Sequence, residues 1–338
     1  MIGLVTKISG SWTTVLTDVG SLFQCKVKGS FRIRGLRATN PVAVGDRVDI
    51  IPSPDGQTAL IADILPRRNY IIRKASNLSK QSHILAANID RVLLLVTLRH
   101  PATSTVFVDR FLATAEAYRV PVIICFNKVD LLTPDEQDEL ARTRSLYESL
   151  GYATLAISAT EVQRCPGAPL PPSFAAIGSG ITLLSGNSGV GKTTLLNALV
   201  PGLSQRTADI SDAHDTGMHT TTFSEMFFLD PTAGLSGSSS SPQGGSQRGA
   251  VSQKGASLID TPGIKGFGTF DIEPEEVSHY FREIFSVGRD CRFSNCLHTD
   301  EPGCAVCRAV SQGDIALSRY QSYLSMLQDK GAAKYRGT

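Results

Sequence analysis

Asn127-Lys128-Val129-Asp130 follows the apolar run Val122–Phe126, and these residue types can read a guanine base. The Asp130 carboxylate can accept from guanine N1–H and the 2-amino group together, and adenine offers neither. Lys128 can lie along the face of the ring. Ser158-Ala159, after the apolar stretch Ala153–Ile157, can aim a backbone N–H at guanine O6. Adenine would oppose a second donor there. A buried polar group left unpaired costs about 1–3 kcal/mol, so several such mismatches give strong discrimination.

A second set of residues can hold phosphates. Gly186-Asn187-Ser188-Gly189-Val190-Gly191-Lys192-Thr193 lies between an expected strand, Ile181–Ser185, and an expected helix, Thr194–Leu199. That is the context a phosphate loop requires. Its glycines let backbone N–H groups turn inward, Lys192 reaches the β- and γ-phosphates, and the Thr193 hydroxyl ligates Mg2+. In Asp260-Thr261-Pro262-Gly263, Asp260 is expected to hold Mg2+ through water and the Gly263 N–H to sense the γ-phosphate. In Gly217-Met218-His219-Thr220-Thr221-Thr222, one of Thr220, Thr221 and Thr222 is expected to close on Mg2+, and the sequence does not choose among them.

Ile264 follows Gly263, where many GTPases place a glutamine that orients the attacking water. An isoleucine cannot do this, so unassisted hydrolysis is expected to be slow. His219 is the candidate catalytic group, against the alternative of a structural histidine. Gly189 stands where some GTPases carry an asparagine that helps hold a monovalent cation, so no K+ dependence is expected by that route.

The base motif precedes the phosphate loop, the reverse of the ordinary order. The parts read as a circularly permuted domain, which moves its switch segments toward its C-terminal end.

Seven cysteines occur, and four of them are Cys291, Cys296, Cys304 and Cys307. Cys291, Cys296, His298 and Cys304 offer three thiolates and an imidazole, a closed tetrahedral set for one structural Zn2+. Cys307 competes as the fourth ligand. Free thiols or a Cys304–Cys307 redox pair are the other readings. Such a cluster points to a reducing, cytoplasmic setting rather than a secreted disulfide framework.

The elements that must position these residues fall into three parts. Residues 1–75 read as five short strands, Gly3–Ile8, Thr13–Asp18, Leu22–Val27, Arg47–Ile51 and Ala59–Ile64, which suit a small OB-type barrel. Strand count does not separate this from an SH3-like barrel. These residues hold eleven Lys/Arg and five Asp/Glu, hence +6, while the whole chain carries +2. Phe23, Phe31 and Tyr70 lie among Lys26, Lys28, Arg32, Arg34 and Arg37, a mixture that suits RNA, although any of these rings can instead fill the barrel core. Residues 76–270 alternate strand and helix patterns, implying a parallel-rich sheet with helices on both faces. Residues 234–255 form a Gly/Ser-rich insert, read as flexible and placed at a hairpin tip. Residues 271–338 hold the cysteines and a helix over 315–328, with Leu317, Tyr320, Leu324 and Leu327 as its expected packing face. No stretch of about 18 consecutive apolar residues occurs, so no membrane association is expected. No basic segment followed by an apolar one opens the chain, so no signal peptide is expected.

Taken in this order, and with Val44-Gly45-Asp46-Arg47-Val48 in the barrel, the motifs resemble those of the RsgA (YjeQ) family of GTPases that depend on the small ribosomal subunit. The resemblance covers almost the whole chain. It implies an OB domain, a permuted GTPase domain and a zinc-binding, helical C-terminal domain, with GTP/GDP, Mg2+ and Zn2+ as cofactors. It further implies GTP hydrolysis stimulated by the 30S subunit during its late maturation, and contacts to its 16S-type rRNA by the flanking domains. A monomer is expected. The insert and Met218 depart from the family's usual pattern. The competing readings are an RNA-binding assembly scaffold with a vestigial nucleotide site, and an ATP-using P-loop enzyme.

Overall fold

The computed structural model describes residues 1–27, 41–74, 82–162, 170–203, 224–229, 255–260 and 272–335. The 234–254 part of the insert lies outside them, as do Phe31, Lys28, Arg32, Arg34 and Arg37.

The N-terminal strands are β1 (Ile2–Ser9), β2 (Trp12–Thr17), β3 (Leu22–Val27), β4 (Arg47–Pro52) and β5 (Thr58–Ile64). They pair in the order β1-β2-β3-β5-β4, and β4 returns to β1. The β3–β5 pairing is parallel and the others are antiparallel. This closed five-stranded order is of the OB type and not SH3-like. Side chains alternate across a strand, so along β3 Phe23 and Cys25 turn inward while Leu22, Gln24 and Lys26 face solvent. Phe23 therefore packs with Val5, Val15, Val48, Ile50 and Ile61 in the barrel core and is no stacking surface. The ring of Tyr70, half-buried, lies 5.4 Å from that of Tyr118. A hairpin absent from the sequence reading, β6 (Tyr70–Lys74) with β7 (Ser82–Ala87), leads out of the barrel.

The Val44-Gly45-Asp46 turn fastens the barrel to the next unit. Ala87 N–H donates to the Val44 carbonyl at 2.9 Å. Gly45 has φ +93°, and a Cβ there would run into the Ala87 carbonyl oxygen. Asp46 is fully buried, accepts from Ala43 N–H at 2.8 Å and receives Arg67 through two bonds of 2.7 Å.

The nucleotide unit contains β8 (Arg91–Val96), α1 (Thr105–Ala117), β9 (Val122–Phe126), α2 (Pro134–Ser149), β10 (Ala153–Ala156), β11 (Gly180–Gly186), α3 (Lys192–Leu199), β12 (Glu225–Phe228) and β13 (Ala256–Asp260). The strand order is β10-β9-β8-β11-β13-β12, parallel except for β12. Every residue of β8 after Arg91 is buried because both faces are covered. Val92, Leu94 and Val96 pack under α1 and α2, while Leu93 and Leu95 pack with α3. Ser104 caps α1 by accepting from Phe107 N–H. Thr133 and Glu136 form the capping box of α2. The barrel joins this sheet where Lys7 on β1 pairs with Glu225 on β12, and the two side chains form an ion pair at 3.0 Å.

The C-terminal unit holds α4 (Pro274–Val277), α5 (Arg282–Gly288), α6 (Ala305–Gln312) and α7 (Leu317–Tyr335). The packing face of α7 keeps most of the expected one and extends beyond it. Tyr320, Leu324 and Leu327 pack, partly buried, against the core of this lobe, while Leu317 is 59% exposed. Among the described residues of α7, Arg319, Ser322, Tyr323 and Met326 are the fully buried side chains. Arg319 can face inward because Asp109 and Glu283 neutralise it, each at 2.7 Å. Among the described residues, no helix is long and apolar enough to cross a membrane.

Candidate nucleotide site and metal centre

The base and phosphate motifs meet at the C-terminal ends of the parallel strands β10, β9 and β11, with β8 between the last two, where α/β sheets bind ligands. Asn127, buried just after β9, links them. Its Nδ2 donates to the Val190 carbonyl at 2.8 Å, and its Oδ1 accepts from Ala159 N–H at 2.8 Å. One side chain thus ties the phosphate loop to the Ser158-Ala159 turn. Gly191, at φ +94°, begins α3 beside it, and a Cβ there would strike Asn127 Nδ2. Ser158 is buried and shares a hydrogen bond of 2.8 Å with Thr160. Asp130 is exposed in a single turn of helix, Val129–Leu131, so its carboxylate is open to a base.

Lys128 adopts a left-handed backbone, and its ammonium donates to the His100 carbonyl. Burial lowers its pKa, against the pull of Asp130. The loop that carries His100 follows β8 and is braced by Thr97, whose hydroxyl donates to the Pro101 carbonyl at 2.5 Å. Pro101 flanks Gly189 of the phosphate loop. Neither His100 nor Pro101 belongs to a motif, and nothing in the sequence order placed this loop between the two halves of the site.

Lys192, at the start of α3, is folded back on its own loop. Its ammonium donates to the carbonyls of Gly186 at 2.9 Å and Asn187 at 2.6 Å. Burial lowers its pKa to about 8, with the Asp260 carboxylate opposing the shift. Asp260 is buried at the end of β13, in register with Leu184 on the strand that feeds the phosphate loop. Ser188, Thr193 and Thr194 line the same turn, partly exposed. An ammonium held at a glycine-rich turn before a helix, with the Asp260 carboxylate and the Thr193 hydroxyl alongside, suits a polyphosphate with a divalent cation. His219, Thr220, Thr221, Thr222 and Gly263 lie outside the described residues.

Cys291, Cys296, His298 and Cys304 form one cluster, with all four ligand atoms within 4.8 Å of one another. His298 Nδ1 is 3.5 Å from the sulfurs of Cys291 and Cys304, which are 3.9 Å apart. Zinc–sulfur bonds of about 2.3 Å in a tetrahedron require edges of about 3.8 Å, so the donor set fits Zn2+ in both chemistry and size. Burial lowers the His298 pKa, which favours the neutral imidazole that metals bind. The Cys307 sulfur is turned elsewhere, 3.6 Å from the His298 carbonyl and 3.5 Å from that of Thr299. Helix α7 braces the ligand loop: Tyr320 donates to the His298 carbonyl at 2.7 Å and Tyr323 to the Leu297 carbonyl at 2.6 Å.

Comparison with known proteins agrees with this arrangement. The RsgA GTPase family model matches residues 64–235, and the RsgA N-terminal domain model matches residues 2–61. The small ribosomal subunit biogenesis GTPase RsgA of Bacteroides fragilis is 54% identical over 336 residues, covering 99% of each chain. The protein of the same name from Porphyromonas gingivalis is 52% identical over 337 residues, again covering 99% of each. The crystal structure of YjeQ from Thermotoga maritima superposes with a TM-score of 0.69 at 31% identity, covering 97% of this chain and 98% of the other. YloQ, described as a circularly permuted GTPase, gives 0.66 at 26% identity, covering 98% and 95%. With both family models matching and relatives more than half identical over nearly its whole length, the chain belongs to the RsgA GTPase family.

Proposed function

We propose that this chain is a GTP hydrolase that acts on the small (30S) ribosomal subunit during its late maturation. The observation that carries the reading is Asn127, whose amide holds Val190 of the phosphate loop and Ala159 of the base turn in one site. Asp130 and the Ala159 N–H read guanine, and Lys128 covers the ring. Residues 186–194 wrap the phosphates, with Lys192 unfolding from its loop carbonyls onto the β- and γ-oxygens. Thr193 and Asp260, with one of Thr220, Thr221 and Thr222, would hold Mg2+, which neutralises charge on the transferring phosphoryl group. Gly263 senses the γ-phosphate, and His219 places the attacking water.

Cys291, Cys296, His298 and Cys304 hold one structural Zn2+; a set of four protein ligands leaves no open position for catalysis. The chain works as a monomer in the cytoplasm, where thiols stay reduced. Its working parts are residues 1–75, 76–270 and 271–338, with the first limit falling in the β6–β7 connection. The basic first part supplies affinity for 16S-type rRNA.

GTP turnover with and without small subunits tests the proposal. Slow basal hydrolysis is expected, rising by about 10³–10⁵ with subunits, the range a partner's contribution to phosphoryl transfer can reach. Full-speed hydrolysis by the isolated chain would contradict the dependence on a partner. His219→Ala should lower the stimulated rate more than nucleotide affinity, and equal losses in both would mark a structural histidine.

A further inference from the structure

Among the described residues, three aromatic side chains are exposed: Trp12 at 40%, Phe285 at 40% and Phe293 at 41%. Each carries a cation over its ring. Lys26 Nζ sits 4.4 Å from the Trp12 centroid, Arg289 4.9 Å from that of Phe285, and Arg292 5.5 Å from that of Phe293. Trp12 lies in the barrel, and the two phenylalanines lie in the lobe that holds the cysteine cluster. None of the three is in the nucleotide unit between them.

We infer that these aromatic–cation pairs are stacking platforms for unpaired RNA bases, one in the barrel and the others beside the metal centre. The inference rests on the proposed small-subunit function and names the chemistry by which the two flanking lobes would grip that partner.

The barrel platform is built by strand register. Thr13 pairs with Cys25, which brings the neighbouring residues Trp12 and Lys26 together on the outward face of β2 and β3. That face is the one OB barrels use for oligonucleotides. Lys26 is in register with Leu60 on its other side, so the lysine stem is flanked by an apolar surface and its ammonium stays over the ring. In the C-terminal lobe, the Phe285 ring is held edge-on by His279, at 5.3 Å and 70°, while Arg289 covers it one helical turn later.

The chemistry selects RNA over a protein surface. A planar base can slide between ring and cation and keep both contacts, because every base has a π-face and guanidinium groups also stack on bases. Among the described residues no carboxylate pairs with Lys26, Arg289 or Arg292, so their charge is available to phosphate. Bases inside an A-form duplex cannot reach such platforms, which confines the ligand to loops, bulges and single strands.

Trp12 is the chain's single tryptophan, so its fluorescence reports one platform directly. The full chain is titrated with a mixed-sequence single-stranded 12-mer RNA and with a duplex of equal length. The single strand should quench Trp12 emission saturably, and the duplex should leave it unchanged. Trp12→Ala and the double variant Phe285→Ala/Phe293→Ala should each weaken single-strand affinity about tenfold or more, read by anisotropy of labelled RNA. Trp12→Phe should restore most of the binding, and GDP affinity should be unaltered in every variant. Absence of quenching at saturating RNA, or unchanged RNA affinity in both alanine variants, overturns the inference. If the variants lose affinity for intact subunits but not for the strand, the platforms face a ribosomal protein and the RNA assignment fails. Failure of the wild-type chain to bind subunits at all, despite normal quenching by RNA, would instead sink the functional proposal and leave the platforms standing.

Discussion

Arg319 on α7 and Asp109 on α1 form an ion pair at 2.7 Å with both side chains out of solvent. Burial opposes the Asp109 charge and the arginine opposes that shift, while Asp109 and Glu283 together hold the arginine charged. Tyr147 donates to the same carboxylate at 2.9 Å, so α2 joins the contact. The C-terminal lobe is therefore docked on the nucleotide unit by a buried charge as well as by apolar packing.

Breaking such a pair from one side leaves an uncompensated buried charge and costs about 3–5 kcal/mol. Arg319→Met should therefore expose α7 to amide hydrogen exchange. Asp109→Asn in the same chain should recover part of the loss, because the orphaned charge is gone. Exchange in α7 that is unchanged by Arg319→Met would show that apolar packing alone docks the lobe.

The same residue explains why part of the fold was hidden in the sequence. Helical spacing marks Leu317, Tyr320, Leu324 and Leu327 as the packing face of α7, and the last three do pack, but an arginine reads as a solvated position, so the buried Arg319 stayed hidden. Its partners, Asp109 and Glu283, are distant in sequence, so nothing local announced that Arg319 turns inward. Where chemistry is local the sequence was legible. The phosphate loop, the base motif and the cysteine cluster all depend on short spacings, and β9 and β3 occupy the residues that their apolar patterns marked. The His100 loop and the β6–β7 hairpin are fixed by tertiary contacts and carry no such pattern. Phe23 fills the core while Trp12 faces out because strand parity, which composition does not reveal, decides which side of the barrel a ring occupies.

Gly45 gives a test of the barrel's attachment. Its φ of +93° suits glycine, and an added Cβ would strike the Ala87 carbonyl. A side chain held in that region costs about 1–3 kcal/mol before the clash is counted. Gly45→Ala should lower the denaturant midpoint read from Trp12 emission while GDP binding persists. An unaltered midpoint would mean that the turn can relax without loosening the barrel.

Specificity for guanine should reside in Asp130, which is exposed next to the Asn127 bridge. Asp130→Asn removes the acceptor pair for N1–H and the 2-amino group, and the amide suits the 2-oxo group of xanthine. GDP affinity should fall and XDP affinity should rise, both measured by competition. GDP affinity equal to wild type would remove Asp130 from the base site.

Lys192 predicts a pH dependence with a definite sign. Burial lowers its pKa to about 8. Phosphate oxygens favour the charged form, so nucleotide binding above that pH must take up a proton. GDP affinity should be flat up to about pH 8 and then fall by up to tenfold per unit. Stability of the free protein should move the other way. The unfolded lysine, with its higher pKa, binds more protons than the folded one above about pH 8, so folding becomes more favourable as pH rises through that window. Titrations between pH 7 and 9, with Lys192→Ala as the control for ionisation of the base, separate this group from the ligand. A wild-type slope equal to that of the variant would assign the dependence elsewhere.

The metal centre makes the last prediction. Purified chain should contain one zinc, because three sulfurs and Nδ1 of His298 already stand within 4.8 Å of one another. Cys291→Ser with Cys296→Ser should abolish it. Cys307→Ser should keep it, since that sulfur faces the His298 and Thr299 carbonyls and not the cluster. Metal binding energy becomes folding energy in a unit this small, so chelation should increase hydrogen exchange in the ligand loop and in α6, whose first turn Cys304 caps. Tyr320 and Tyr323 bond that loop to α7, so protection there should fall as well. GDP affinity should persist, because Lys192 and Asp130 belong to the nucleotide unit and not to the lobe that holds the cysteines. Zinc lost from Cys307→Ser, or retained after both other cysteines are replaced, would reassign the fourth ligand or remove the site.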